Sequence, residues 1–108
     1  MKTLQFRSLS DVLVLVDNEP MAGIIFTKEE YPWGVDSSCI VLDVPEEEYN
    51  PKGGTDFTEA NGLKRALTIE YAMQIVYYAR QQVTNPSPQQ LVDSFNYYYK
   101  YDAFLNLM

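Results

Sequence analysis

The sequence predicts an α+β fold, a small two-layer sandwich with about three antiparallel strands, one N-terminal helix and two C-terminal helices. Two observations predict the elements: β-rich apolar runs lie in the first half of the chain, and amphipathic helical stretches lie at its end. A third sets the scale, because 108 residues are enough for one hydrophobic core but too few for two. We therefore expect a single domain spanning residues 1–108.

The first element is predicted to be a short amphipathic helix that begins within Ser8–Asp11 and ends near Asn18. Ser8 to Asp11 supply N-cap candidates, and Pro20 lies just beyond the expected end. The apolar residues of this segment follow helical spacing: Leu9, Val12, Leu13 and Val16. Its valines leave a strand open as the alternative, because β-branched side chains lose rotamer freedom in a helix.

Two strands are predicted next, at Ala22–Thr27 and Ser38–Val44. Between them, Tyr31-Pro32-Trp33-Gly34 is typical of a turn or loop, since proline fixes φ and glycine ends the segment. A connection of about ten residues suits an antiparallel pair with a long loop. The strands are therefore expected to be neighbours in one sheet.

A solvated loop is predicted for residues 46–56, which are first acidic and then glycine-rich. A third, short strand is predicted at Leu63–Leu67, after the turn signal Asn61-Gly62. Thr68 follows as a plausible N-cap for the next helix.

Two helices are predicted for the rest of the chain. The first covers Ile69–Val83 and ends at Asn85-Pro86, because a residue before proline is pushed out of the α region. The second begins at Ser87-Pro88-Gln89-Gln90, a capping box with proline at the first helical position. Their buried faces are expected to contain Ala72, Ile75, Val76, Ala79 and Val83 in the first helix, and Leu91, Phe95, Tyr98 and Tyr99 in the second.

The net negative charge is concentrated in the middle of the chain, from Glu29 to Glu59. This window contains nine acids and one base, Lys52, which gives it a net charge of −8. The remaining residues carry six acids and seven bases, so they contribute about +1 to the total of −7. Such an asymmetry repels nucleic acid and anionic membranes and attracts basic protein surfaces.

The composition argues against catalysis. Histidine is absent, which removes the commonest general base and metal ligand, and an enzyme would need paired carboxylates or a lysine instead. The single cysteine, Cys39, excludes an internal disulfide and is expected to be a small buried hydrophobe. We expect no catalytic residues, no metal and no cofactor. The N-terminus lacks the pattern of a targeting signal or a membrane span, which favours the cytoplasm.

Acidic and aromatic side chains of the middle window are the candidate contacts for a protein partner. The acidic candidates are Asp43, Glu46, Glu47, Glu48, Asp56 and Glu59, and the aromatic candidates are Tyr31, Trp33 and Tyr49. The alternative for the acids is a solvated loop that only keeps the protein soluble. A calcium site is disfavoured, because the acids lack the alternating spacing of a calcium-binding loop. Trp33 is equally compatible with a loop that folds back on the core. The tyrosines of the last helix are expected to be mainly buried, with Tyr97 or Tyr101 at the surface.

Several segments carry a resemblance that covers the chain from about Ser8 to Phe104. They are Glu59-Ala60-Asn61-Gly62-Leu63, Ala66-Leu67, Ile75-Val76, Ala79-Arg80, and, as the most specific element, Phe95-Asn96-Tyr97-Tyr98-Tyr99 with Asp102-Ala103-Phe104. The chain resembles a family of small acidic bacterial proteins, some of which look like immunity proteins of contact-dependent growth inhibition systems. The segment Lys52-Gly53-Gly54 and the pair Tyr77-Tyr78 are less typical of that family.

The resemblance implies an antidote that binds a cognate antibacterial toxin domain and occludes its active site. Many such toxins are nucleases, including enzymes that cleave tRNA, and a nuclease needs a basic substrate cleft. The expected partner is therefore a basic protein surface rather than nucleic acid or membrane. The alternative is a non-catalytic regulatory protein, self-associating through its tyrosines, and the sequence leaves the oligomeric state open.

Overall fold

The computed structural model describes residues 5–43 and 55–107 and contains an antiparallel sheet with helices packed against it. The strands are β1 (Arg7–Ser8), β2 (Ile24–Thr27), β3 (Ser38–Leu42) and β4 (Lys64–Thr68). The helices are α1 (Leu9–Val14), α2 (Asp56–Ala60), α3 (Ile69–Gln82) and α4 (Pro88–Tyr101), and a 3-10 turn covers Val16–Asn18. The strand order is β1-β3-β2-β4, with every neighbouring pair antiparallel. The predicted α+β class is confirmed.

Two elements of the fold were not predicted from the sequence, β1 and α2. β1 is only two residues long and pairs Arg7 with Cys39 and Ser8 with Ser38. In addition, the predicted N-terminal helix is divided, since α1 ends at Val14 and the 3-10 turn continues to Asn18. The predicted end of the second strand at Val44 and most of the predicted loop, residues 46–54, lie outside the described residues.

The structure has a helix, α2, beginning at Asp56, where the sequence predicted the end of a loop. Thr55 caps the helix, because its hydroxyl accepts from Thr58 N at 3.2 Å while its own N–H donates to Thr58 Oγ1 at 2.8 Å. At the other end, Gly62 has φ +66°, and Leu63 N donates to Thr58 O at 2.8 Å. This is a glycine C-cap, so the Asn61-Gly62 signal marks the end of a helix rather than a free turn.

Two strands pass directly into helices without a connecting residue. Ser8 is the last residue of β1 and caps α1, because its hydroxyl accepts from Asp11 N at 3.2 Å. Thr68 is the last residue of β4 and caps α3 in the same way, accepting from Tyr71 N at 3.2 Å. The predicted caps Ser8 and Thr68 are confirmed, and each also fixes the angle between a strand and a helix.

The main core lies between the sheet and helices α1, α3 and α4. Most of the predicted core residues are in it: Leu9, Val12, Leu13, Val16, Ala72, Ile75, Val76, Ala79, Leu91 and Phe95. The valine-rich first segment is thus a helix, as its spacing predicted. Val83 and Tyr98 are only half-buried, and Tyr99 is exposed. A second apolar cluster contains Ile24, Phe26, Ile40 and Leu63.

The thiol pKa of Cys39 reports how well the main core excludes water. Its side chain is fully buried, and this burial raises the pKa of its thiol from 9.0 to about 12. Since the raised pKa belongs to the folded state, the protonated thiol stabilises the fold fully below pH 9.0 and progressively less as the pH approaches 12. We expect this group to lower the free energy of unfolding by about 1.4 kcal/mol per pH unit within that interval.

Urea denaturation of the wild type and of Cys39→Ala at several pH values measures this contribution. The stability difference between the two proteins should be constant below pH 9.0 and shift against the wild type above it. A difference that does not change with pH would mean that the thiol ionises as freely in the fold as in the unfolded chain.

Among the described residues, no helix combines the length and the apolar character needed to cross a membrane.

Candidate functional site

The loop that joins β2 to β3, residues 28–37, is held in shape by its own hydrogen bonds. The carbonyl oxygen of Glu29 accepts from Thr27 Oγ1 at 2.8 Å and from Trp33 Nε1 at 2.9 Å. The Ser37 hydroxyl donates to Glu29 Oε2 at 2.9 Å, and Ser37 Oγ itself accepts from Gly34 N at 2.9 Å. These bonds join the two ends of the loop, which we call the β2–β3 loop below.

Two helices anchor the β2–β3 loop from outside. On the α1 side, Leu9 N donates to Ser37 O at 2.8 Å and Ser10 N donates to Val35 O at 3.2 Å. On the α4 side, the Asn96 amide binds both backbone groups of Trp33, accepting from its N at 3.0 Å and donating to its O at 2.7 Å. The loop is therefore a preorganised part of the fold, although it contains turn-type residues.

Trp33 is a support inside the molecule and not an exposed contact. Its side chain is 5% exposed, and its ring meets the rings of Tyr31, Phe95 and Tyr99 edge-on, with centroids 4.8 to 5.7 Å apart. The sequence left Trp33 open between the core and an interface, and the structure places it in the core. A direct contact of Trp33 with a partner stays a prediction, and its side chain offers a partner little surface in this structure.

The aromatic surface above Trp33 consists of Tyr31 and Tyr99. Their rings stack with centroids 5.4 Å apart and an interplanar angle of 27°. Tyr31 is half-buried, and Tyr99 is 42% exposed, contrary to its predicted place on the buried face. Three successive tyrosines cover about 200° of a helix, so one of them has to face outward. Tyr101 is also exposed, as the sequence allowed, whereas Tyr97 is half-buried.

The described acidic residues of the middle window are distributed over three parts of the fold. Glu30 and Asp36 are exposed in the β2–β3 loop, and Glu30 directly precedes Tyr31 in the chain. Asp43 is exposed at the far end of β3, about 20 Å from Ser37 at the end of the loop, at the usual rise of about 3.4 Å per residue. Asp56 and Glu59 are exposed on α2. The remaining predicted contacts, Glu46, Glu47, Glu48 and Tyr49, lie outside the described residues.

The lysines in and near the β2–β3 loop pair only weakly with its carboxylates. The loop contains one base and three acids, a net charge of −2. Lys28 Nζ lies 4.1 Å from the centroid of the Phe6 ring, and Lys100 Nζ lies 5.2 Å from that of Tyr101. Lys64 Nζ is 3.8 Å from Glu30 Oε1, but both side chains are exposed, and such pairs contribute little.

A second aromatic surface lies where the C-terminal segment crosses α3 and α4. Tyr98 contacts Tyr71 and Phe104, and Phe104 stacks on Tyr78 with centroids 4.7 Å apart. The Gln82 side chain holds the segment, because it donates to Leu105 O at 3.0 Å and accepts from Leu107 N at 2.7 Å. Helical spacing could not reveal this surface, because it depends on residues that follow the last helix.

A polar group on the opposite side of α3 has a structural role. Asp17 accepts from Tyr77 Oη at 2.6 Å and from Arg80 at 3.1 Å. The hydrogen bond from Tyr77, and then that from Arg80, lowers the pKa of Asp17, while the same bond raises the pKa of Tyr77. These contacts connect the 3-10 turn to α3, and this structural role explains them without a bound ligand.

Within residues 5–43 and 55–107, no group of three or more histidine, cysteine, aspartate or glutamate side chains is placed to hold a metal ion. The arrangement that the described residues offer is a fixed loop with exposed carboxylates and a stacked tyrosine pair. This combination suits recognition of another molecule at the surface.

Comparison with curated proteins and with solved structures gives no match. A family model does match, and it covers residues 6–107, nearly the whole chain. The chain therefore belongs to the domain family DUF7716, which is described as a domain of unknown function.

Proposed function

We propose that this protein is an immunity protein, a stoichiometric inhibitor that binds the catalytic domain of a basic antibacterial toxin in the cytoplasm and covers its active site. The observation that carries the proposal is the net charge of −8 between Glu29 and Glu59. The described acids of this window that take no part in the hydrogen bonds around Glu29 are all exposed: Glu30, Asp36, Asp43, Asp56 and Glu59. A toxin that cleaves nucleic acid needs a cationic cleft, and an acidic protein can occupy that cleft in place of the substrate.

Charge of this kind acts first on association. Opposite charges steer two proteins together and raise the association rate at low salt, while like charges suppress wrong partners. The β2–β3 loop adds a fixed backbone shape, so little loop ordering is needed there on binding. Both properties are those of an inhibitor that must capture its target quickly.

Growth protection is the direct test of the proposed function. Cells that produce the toxin domain encoded beside this chain should grow when they also express the wild-type chain and stop growing without it. Purified chain and toxin should form an equimolar complex in which the toxin is inactive. Growth arrest in cells that contain both proteins in folded form would contradict the proposal.

The acidic segment Glu46–Glu48 gives a sharper prediction. Changing all three glutamates to lysine changes the net charge of the window from −8 to −2. If the segment faces the toxin, association at low salt should slow by about tenfold or more, because steering is lost, and the dependence of the association rate on salt should flatten. Stopped-flow measurements over a range of NaCl concentrations test both effects.

The control variant changes three exposed acids on helices to lysine, Asp11, Glu70 and Asp93, and so alters the total charge equally. If this control slows association as much as the Glu46–Glu48 variant, only the overall charge matters. Unchanged association of the Glu46–Glu48 variant would mean that this segment faces solvent, even where growth protection persists.

A second candidate function is self-association through the tyrosines. It is favoured by the aromatic surface formed by Tyr71, Tyr78, Tyr98 and Phe104, because exposed aromatic side chains are enriched in protein interfaces. Sedimentation distinguishes the two functions. A stable homo-oligomer without affinity for the toxin would support this candidate, whereas a monomer that forms an equimolar complex supports the immunity role.

A further inference from the structure

We propose that the β2–β3 loop and α4 together form a docking surface for an arginine side chain of a basic partner protein. The surface consists of the stacked rings of Tyr31 and Tyr99 and the flanking carboxylates of Glu30 and Asp36. This inference rests on the proposed function, since it names the part of the protein that meets the toxin and the chemistry that it meets. Tyr99, Glu30 and Asp36 were not among the contacts predicted from the sequence.

The first argument is charge complementarity. The Glu30 side chain is 81% exposed, and its ion pair with Lys64 spans 3.8 Å at the surface, where such pairs are weak and readily exchanged. Asp36 is exposed on the same loop. The neighbouring ammonium groups of Lys28 and Lys100 lie over the rings of Phe6 and Tyr101. A cation from a partner would therefore meet carboxylates here.

The second argument is the stacked tyrosine pair. A guanidinium group is planar, stacks on aromatic faces and donates paired hydrogen bonds to a carboxylate, whereas an ammonium group is a compact and strongly hydrated charge. The exposed ring of Tyr99 stacks on Tyr31, and Tyr31 directly follows Glu30 in the chain, so the surface can offer arginine both an aromatic face and a carboxylate. The surface is thus expected to favour arginine over lysine at equal charge.

The third argument is that the surface is formed before binding. Trp33 supports both tyrosine rings, and Asn96 holds the backbone of Trp33 through two hydrogen bonds. Because Trp33 is buried, it acts as a positioning residue and touches no partner. Preorganisation of this kind lowers the entropy lost when a partner docks.

The test uses the full chain and two short probes of equal charge, a hexa-arginine and a hexa-lysine peptide, at physiological salt. Amide chemical-shift mapping locates the binding site on the wild-type chain, and the titration gives the affinity. Hexa-arginine is expected to shift the amides of residues 28–37 and of Tyr99 and to bind at least about threefold more tightly than hexa-lysine.

Two variants weaken the proposed surface, and each has a matched control. Tyr99→Ala should weaken hexa-arginine binding about two- to fivefold, while Tyr77→Ala, which truncates a tyrosine of similar exposure on α3, should leave it unchanged. Glu30→Gln with Asp36→Asn should weaken binding about three- to tenfold. Glu70→Gln with Asp93→Asn removes the same charge from the helices and should have little effect, because salt screens distant charges.

Shifts confined to other parts of the chain, equal affinity for the two peptides, or equal losses in variants and controls would each overturn this inference. Growth protection tests the proposed function separately. A chain that protects cells but binds hexa-arginine elsewhere would refute the docking surface alone. A chain that binds hexa-arginine at the loop but gives no protection would refute the immunity role alone.

Discussion

Replacing Trp33 by alanine is expected to lower the free energy of unfolding by about 3–5 kcal/mol, the usual loss for a buried aromatic side chain. The ring is 5% exposed and fills the space between the β2–β3 loop and α4, where it touches Tyr31, Phe95 and Tyr99. Alanine would leave a cavity and remove the hydrogen bond from Nε1 to Glu29 O. Urea denaturation followed by circular dichroism measures the loss, because Trp33 is the only tryptophan and its fluorescence cannot be followed in this variant.

Two further variants separate the causes of that loss. Trp33→Phe keeps a ring in place but cannot donate to Glu29 O, so it should lose less stability than the alanine variant. Tyr101→Ala truncates an aromatic side chain that is 55% exposed and should change stability by less than about 0.5 kcal/mol. A Trp33→Ala variant as stable as Tyr101→Ala would contradict the buried position of Trp33.

Replacing Gly23 by alanine is expected to destabilise the protein by about 1–3 kcal/mol through overpacking. A Cβ atom at this position would lie 2.6 Å from Val41 Cγ1, 3.0 Å from Pro20 O and 3.2 Å from Ile69 Cγ1. Gly23 also accepts a hydrogen bond from Ile69 N at 2.9 Å, so the clash would act where β2 meets the start of α3. Thermal and urea denaturation both measure the effect.

Gly34→Ala is the matched control, since a Cβ atom there would meet nothing within 4 Å. This change should be neutral or slightly stabilising, because alanine reduces the freedom of the unfolded chain. Combining Gly23→Ala with Val41→Ala removes the closest contact but leaves Pro20 O in place, so rescue should be partial. Equal stability of the Gly23 and Gly34 variants would rule out overpacking.

The elements that could be predicted are those specified by residues close together in sequence. Ser87 accepts from Gln90 N while Gln90 Oε1 accepts from Ser87 N, which is the capping box predicted from that short stretch. The strands β2 and β3 and their antiparallel pairing were predicted from β-rich runs bounded by proline and charge and from the length of the connection between them. Local rules of capping and alternation suffice for such elements.

The missed elements have weaker or misleading local signals. Helix α2 has threonine, Thr58, where a capping box usually has glutamate or glutamine, so its start was not recognised. Its end at Asn61-Gly62 has the composition of a hairpin turn as well as that of a helix C-cap. β1 is too short for a periodic pattern, and it exists because Arg7 and Ser8 pair with β3.

The candidate site depends on contacts that are distant in sequence, which is why it was only partly predicted. The buried place of Trp33 depends on Asn96, which lies 63 residues away. The charge of the middle window could be counted from the sequence, but its division between the loop, the end of β3 and α2 required the topology of the sheet. The composition thus favoured a surface for a basic protein partner. The fold determines which of the acids lie close enough together to act on one partner.

The strand-to-helix junctions at Ser8 and Thr68 limit how the length of the chain can vary. Inserting a single residue after Thr68 would rotate every position of α3 by about 100° about the helix axis, which would turn Ala72 and Val76 away from the sheet. The same holds for α1 after Ser8. Natural insertions and deletions in this family should therefore avoid both junctions and accumulate in segments without such a direct connection.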